Sequence, residues 1–200
     1  MVQEMGQRVL KVLIACEFSG VVRNAFATMG HDAWSCDLLD TKSPGNHIKG
    51  NVLDILGDGW DLMIAHPPCT HLASSGARWF AGKKVEQEQA IEFVKALWNA
   101  PIPRIAIENP IGVLSSKFRK PDQIIQPFMF GHPETKATCL WLKNLPKLVP
   151  TKNVKEEMMA LPKKERNRIH YMSPGPERGM LRSVTYSGIA RAFASQWGTI

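Results

Sequence analysis

Residues 61–70 read Asp-Leu-Met-Ile-Ala-His-Pro-Pro-Cys-Thr. An apolar run, Trp60 to Ala65, ends in two prolines and a cysteine. The run is short and continuous, as in a strand buried on both faces, and the prolines end it because neither has an N–H to donate. In an open α/β sheet, ligand crevices form beyond the carboxyl ends of such strands. Glu108 follows Cys69 by 39 residues, at the end of a second apolar run, Ile105-Ala-Ile107, between Pro103 and Pro110. A thiol and a carboxylate at neighbouring strand ends are the parts needed for covalent chemistry on a pyrimidine ring.

Working outward, Val9 to Ala15 predicts the first strand, and Val21, Val22, Ala25, Phe26 and Met29 follow at helical spacing. Residues 31–36 predict a second strand ending at Asp37, and residues 48–55 a short strand or turn. Val85 to Asn99 predicts a helix with Ile91, Val94, Leu97 and Trp98 on one side. Residues 123–130 and 138–142 read as later strands, and Ile189, Phe193 and Trp197 as a closing amphipathic helix. Strands alternating with helices predict an α/β fold with a single doubly wound, mostly parallel, Rossmann-like sheet. The chain of 200 residues reads as one domain.

Hydrophobic residues make up 44% of the chain, which excludes a disordered protein. No apolar run reaches the length of a membrane span. The N-terminus leads into a strand pattern and not a signal peptide, and four widely spaced cysteines suggest a reducing cytoplasm. The net charge is +7, and residues 143–182 hold ten Lys and Arg against four Glu, a net of +6. This proline-containing segment with little periodicity reads either as a phosphate-binding arm, with Lys163, Lys164, Arg166 and Arg168 as its nucleic-acid contacts, or as a solvated lysine-rich loop.

Each candidate site has a plainer reading. Gly20, in Phe18-Ser-Gly20, lets a ligand approach the backbone near a helix start, or serves packing. Asp37 is placed to bind ribose hydroxyls, or caps a helix. Cys69 is a nucleophile, a buried structural cysteine, or a metal ligand with His66 and His71. That spacing fits no standard zinc pattern, and the order of His132-Pro-Glu134 is wrong for a zinc deaminase.

Taken in order, these motifs resemble the DNA (cytosine-5) methyltransferase family. Phe18-Ser-Gly20 resembles its first cofactor motif, Pro67-Pro-Cys69 its nucleophile motif and Glu108-Asn109 its Glu-Asn motif. Residues 126–142 fall where the family has a basic strand motif, with Lys136 as candidate, and Tyr186-Ser-Gly-Ile-Ala190 loosely resembles the final cofactor motif. The resemblance covers most of residues 9–142 and 183–197. It implies an S-adenosylmethionine-dependent methyltransferase fold and transfer of a methyl group to cytosine C5 in DNA. Cys69 is then the thiolate that adds to the ring, its pKa lowered by nearby cations or a helix end. Glu108 holds or protonates N3, Asn109 fixes the turn, and Lys136 contacts the base or a phosphate. Phe18, Ser19, Gly20, Asp37, Asn51, Asp54, Pro67 and Ser187 become the cofactor candidates. The loop from Thr70 to Lys84 could close over a base taken out of the stack.

The chain departs from the pattern in four places. Gly50 is followed by Asn51, with the acid Asp54 three residues further on. After Gly20 come Val21 and Val22, without the usual later glycines. Thr70 stands where the family has glutamine. Only about forty residues, 143–182, replace a target-recognition domain, as in compact phage or prophage members. The alternatives are a catalytically silent nucleic-acid-binding protein and a pyrimidine-nucleotide-modifying enzyme. Methyltransferases of exocyclic amines end the equivalent strand in Pro-Pro plus an aromatic. A homodimer could supply missing recognition surface.

Overall fold

The central strands carry apolar side chains on both faces, and a computed structural model shows what covers each face. It describes residues 8–74, 82–175 and 177–200. Strand β1 (Lys11–Ala15) is followed by helix α1 (Val21–Thr28) and β2 (Asp32–Asp37). Next come β3 (His47–Lys49), β4 (Leu62–Ala65), α2 (Lys84–Trp98) and β5 (Arg104–Pro110). A one-turn helix α3 (Leu114–Lys117) precedes β6 (Gln123–Ile125) and β7 (Thr138–Lys143). Helices α4 (Lys155–Ala160), α5 (Lys163–Arg166), α6 (Arg168–Tyr171) and α7 (Arg178–Ser183) lead to the closing α8 (Ser187–Trp197).

The strands form one sheet in the order β3-β2-β1-β4-β5-β7-β6. The pairings among β1 to β5 are parallel, and β7 runs antiparallel to both β5 and β6. This is the doubly wound, mostly parallel, Rossmann-like α/β sheet that the alternation predicts. Side-chain alternation explains the layers. Val12, Ile14, Leu62, Ile64 and Ala106 point to one face, where they meet Val22 and Phe26 of α1 and Phe193 and Trp197 of α8. Leu13, Ala15, Met63, Ala65, Ile105 and Ile107 point to the other, against Ile91, Val94 and Leu97 of α2.

Two expectations need correction. Residues 123–130 are a strand only to Ile125, after which Pro127–Met129 forms a 3-10 turn. Pro127 has no N–H for a ladder, so the strand stops before it. The segment 143–182 is not structureless, because four short helices run through it. Of these, α4 and α6 are anchored by Met158 and Ile169, with Val154 just before α4, each buried. Each helix is too short for a helical period to show in the sequence.

Strand order reverses where β1 lies between β2 and β4. The carboxyl ends of β1, β2, β4 and β5 therefore frame a crevice, and the chain leaves the sheet at each of these ends. No helix among the described residues is long and apolar enough to cross a membrane.

Candidate active site

The β4 ladder runs one residue beyond the strand, because His66 N still donates to Ala15 O at 2.9 Å. Pro67 and Pro68 have no N–H to continue it, and the chain turns out of the sheet. Cys69 stands on this turn, exposed, and its carbonyl accepts from Leu72 N at 3.0 Å and Ala73 N at 2.9 Å. The turn is held from the segment just after β5: Val113 N donates to Leu72 O at 2.9 Å, and Ser74 N to Ile111 O at 3.0 Å. Gly112 permits this approach, since a Cβ there would collide with the Leu72 carbonyl. Residues 75–81 of the loop expected to close over the base lie outside the described residues.

Asn109 ties the two strand ends together. It is buried on β5, and its Nδ2 donates to Pro67 O at 2.8 Å. Glu108, one residue earlier, faces the opposite side of the sheet. Its Oε2 lies 2.9 Å from His66 Nδ1, with side-chain exposures of 14% and 9%. Glu108, Lys136, Thr138, Thr185, Tyr186 and Ile189 line a small recess. Lys136 is held across it, its N donating to Gln126 Oε1 at 3.0 Å and its Nζ to Arg182 O at 2.8 Å. The structure thus brings Cys69, Glu108, Asn109 and Lys136 to one corner.

The electrostatics of the corner are not those expected of Cys69. Burial raises the Glu108 pKa, but the hydrogen bond and charge of His66, with Lys136 and Thr138, outweigh it and hold the carboxyl below its usual range. The Cys69 thiol is pushed up, not down. Protein bulk on its inner side comes first and the Glu108 charge second, and Lys136 and Arg182 offset them only in part. The cations are present as expected, but a buried carboxylate stands beside them.

A separate cleft of about 310 Å³ opens at the ends of β1, β2 and β4 and is lined among others by Cys16, Asp37, Asn51, Pro68 and Phe93. Asp37 Oδ1 accepts from Leu39 N at 2.9 Å, and Asn51 Oδ1 from Leu53 N at 3.1 Å. Cys16 sits at the end of β1 with φ 59°, a left-handed conformation unusual for a side-chain-bearing residue and typical of functional sites. Burial and then Asp37 and Cys36 push its thiol up to about 12.

Of the residues singled out for the cofactor, Asp37 and Asn51 line this cleft. Asp54 does not, and Pro68 is there in place of Pro67. Gly20 caps α1 at φ 73°, and the space above it is filled from within: a Cβ would strike Ser43 Oγ and the Arg23 guanidinium. The first N–H groups of α1 are also satisfied internally, Glu17 accepting from Val22 N at 2.7 Å and Arg23 N at 3.1 Å, and from Ser19 Oγ at 3.1 Å. Phe18 is buried, with Lys42 Nζ 5.4 Å above its ring. The Phe18-Ser19-Gly20 turn therefore shapes α1 and its loop and does not line the cleft. Ser187 lines a different groove, about 720 Å³, between α1 and α8.

No family model matches the chain, and no curated protein matches it in sequence. Among solved structures the chain is similar to a prophage-encoded E. coli protein described as a candidate DNA modification methyltransferase. The TM-score is 0.47 and the identity 15%, with 77% of this chain and 56% of that one covered. The chain thus spans little more than half the length of that protein.

The basic arm divides into two kinds of residue. Lys163 and Lys164 on α5 are exposed. Arg168 Nε pairs with Glu134 Oε1 at 3.1 Å, and Tyr186 donates its hydroxyl to Glu134 Oε2 at 2.7 Å. Arg166 is half-buried, and its Nη1 donates to Met159 O at 3.3 Å. Both arginines expected to meet nucleic acid are thus engaged within the protein. Four residues given no part in methyl transfer from the sequence prove central to the geometry: His66 and Glu134, weighed there only for metal chemistry, and Arg23 and Arg182. His66 had a visible signal, standing at a strand end directly before Pro-Pro.

Proposed function

We propose that the protein is a compact single-domain methyltransferase that moves a methyl group from S-adenosylmethionine to cytosine C5 in DNA through a covalent Cys69 adduct. The observation that carries this reading is the meeting of Cys69 and Glu108 at adjoining strand ends, clamped by the Asn109 Nδ2 to Pro67 O bond of 2.8 Å. A nucleophile and a buried acid held on two strands can address two atoms of one flat ring.

The cleft fits the adenosine part of the cofactor. Its volume of about 310 Å³ is within the usual range for small-ligand sites, roughly 300–1,000 Å³. An acid at the end of β2 is suited to ribose hydroxyls, and Asn51 offers an amide to a base edge. Asp37 and Asn51 would hold the cofactor there, and Pro68 joins this cleft to Cys69. When bound, the cofactor supplies a sulfonium methyl group that a carbon nucleophile can accept.

The chain's own residues do the rest. The Cys69 thiol gives its proton to Glu108, and Sγ adds to C6 of the ring. Glu108 Oε1 then passes that proton to N3, so the electron pair displaced from the ring collects at C5. The raised pKa of Cys69 and the depressed pKa of Glu108 oppose this transfer at rest. Proton uptake by Glu108 removes one of the charges that raise the thiol, so forming the acid and forming the thiolate favour each other. After transfer a water molecule takes the C5 proton, the C5–C6 double bond re-forms as Sγ departs as the thiolate, and the N3 proton returns through Glu108 to Sγ. Lys136 faces the base or a neighbouring phosphate.

The test is incubation with methyl-labelled S-adenosylmethionine and duplex DNA, single-stranded DNA or dCMP, followed by digestion and chromatography. Label is expected in 5-methyldeoxycytidine from DNA. Label in an exocyclic methylamine would sink the C5 assignment, transfer only to dCMP would make the protein a nucleotide-modifying enzyme, and DNA binding without transfer would make it a silent binder.

The arm supplies a second expectation. Replacing Lys163 and Lys164 by Ala should weaken DNA binding and flatten the slope of log Kd against log salt by about 1.4–1.8, the loss of two phosphate contacts. Adding Arg168→Ala should change the slope little, because its charge is spent on Glu134. An unchanged slope for the double variant would make α5 a solvated surface.

A further inference from the structure

His66 is a titratable side chain, nine-tenths buried, that the reaction as written does not use. Its Nδ1 lies 2.9 Å from Glu108 Oε2, and its buried Nε2 has no hydrogen-bond partner among the described residues. The two nitrogens settle the tautomer. The one facing the carboxylate carries the proton, because a buried N–H without an acceptor costs more than a lone pair left unmatched. His66 thus donates Nδ1–H to Oε2, which leaves Oε1 as the oxygen free to meet a substrate.

We propose that His66 is the positioning residue of the reaction, a fixed donor that aims Glu108 Oε1 at cytosine N3 and steadies the carboxylate formed when the proton leaves. The inference rests on the proposed cytosine reading and adds a residue to it. In the step concerned, the Sγ–C6 bond forms, the Oε1–H bond breaks and the N3–H bond forms. His66 keeps its own proton throughout. The hydrogen bond from Nδ1 strengthens as Oε2 gains charge, so it stabilises the transition state more than the ground state. The other groups facing Glu108 are Cys69 beyond β4, Lys136, Thr138 and Cys139 at β7, and Tyr186 before α8. The leading contact on its carboxylate is the hydrogen bond from His66 Nδ1 at 2.9 Å.

The sign follows from the contacts. His66 favours the charged form of Glu108 and is the leading cause holding its pKa down against burial. Without His66, burial prevails and the Glu108 pKa rises. The thiol's proton needs an ionised Glu108 to receive it, so activity rises as pH climbs through that pKa. The rising limb should therefore move to higher pH in His66→Leu, while kcat drops roughly 10- to 100-fold because the acid is weaker and loosely aimed. His66→Asn, whose amide can donate in place of Nδ1–H, should restore most of both.

Two measurements read this. Carboxyl ¹³C NMR follows Glu108 without substrate, with Glu108→Gln identifying the signal. Its midpoint should rise by at least about one pH unit in His66→Leu and stay near wild type in His66→Asn. Should the leucine variant not fold, His66→Ser, too short to reach the carboxylate, takes its place. The kcat–pH profile on DNA should show the same shift. An unmoved Glu108 midpoint, or an asparagine variant that behaves like leucine in both readouts, overturns the proposal. Wild-type protein that transfers no methyl group overturns the reading it rests on, whereas active protein with an unmoved limb overturns this inference alone.

Discussion

Cys69→Ser is expected to lower methyl transfer to DNA by roughly 10,000-fold or more, with cofactor binding unchanged. A hydroxyl is ionised far less readily than a thiol and is a much weaker nucleophile towards a ring carbon. The contrast is sharpened by the setting. Burial and Glu108 already work against an anion at this position, and the two cations only partly offset them. A serine there has no route to its alkoxide. The loss should be one of chemistry alone. The side chain is exposed and does not line the cleft that holds Asp37 and Asn51, so thermal unfolding and cofactor affinity should match the wild type. The decisive assay uses DNA containing 5-fluorocytosine. Addition of Sγ and methyl transfer can proceed, but fluorine cannot leave C5 as a proton does, so the adduct stalls. Wild type should give a covalent complex that survives denaturation, and the serine variant none. A fully active serine variant would refute the covalent mechanism.

Arg23→Met is expected to cost about 3–5 kcal/mol, a drop in Tm of roughly 6–20 °C for a chain this size. Arg23 lies on α1 with no exposure, an exceptional place for a guanidinium. Its donors are matched by the loop after β2. Nη2 donates to Ser43 O and Pro44 O at 2.8 Å each, and Nη1 donates to Ser35 Oγ at 2.9 Å. Asn24 Oδ1 accepts from Nε at 3.0 Å, and the Glu17 carboxylate is close enough to steady the charge. Methionine fills much of the volume but strands the part-buried carbonyls of Ser43 and Pro44 and leaves Glu17 unbalanced. Lysine should not rescue, because one ammonium cannot serve acceptors spread around a planar fork. The same loop continues from Asp37, so cofactor affinity should fall with stability. A variant within about 1 kcal/mol of wild type would mean that the loop finds other partners.

The parts of the fold that were legible in the sequence are those where side-chain period and burial agree. Strands β1, β4 and β5 are short apolar runs buried on both faces, α2 and α8 present one apolar side each, and prolines mark where β4 ends. The reversal of β7 was not legible, because strand direction is set by connections and not by composition. The helices of the arm hid behind their brevity. At the site, Cys69 and Glu108 could be read because each ends an apolar run. The cofactor residues could be read only in part. Gly20 carries the right residue at the right turn, yet Ser43 and Arg23 take the space that a ligand was expected to use. Arg168 shows the same limit. Its charge is plain in the sequence, but its partner Glu134 lies 34 residues away. His66 went unread as a participant because its neighbour Glu108 is 42 residues distant, on the adjacent strand.

The packing of α8 on α1 has a consequence for synthesis. Helix α1 is made early, yet Val22 and Phe26 find their cover in Phe193 and in Trp197, whose rings stack at 4.8 Å. While the chain emerges from the ribosome, that apolar stripe has no mate until the last turns of α8 are out. That layer of the core closes only once α8 is made, by a contact between residues more than 160 positions apart. Such long-range closure is slow and leaves apolar surface open to aggregation in the meantime. Nascent chains stalled before Ser187 should therefore be protease-sensitive and sticky, and soluble yield should depend on how quickly that final helix docks.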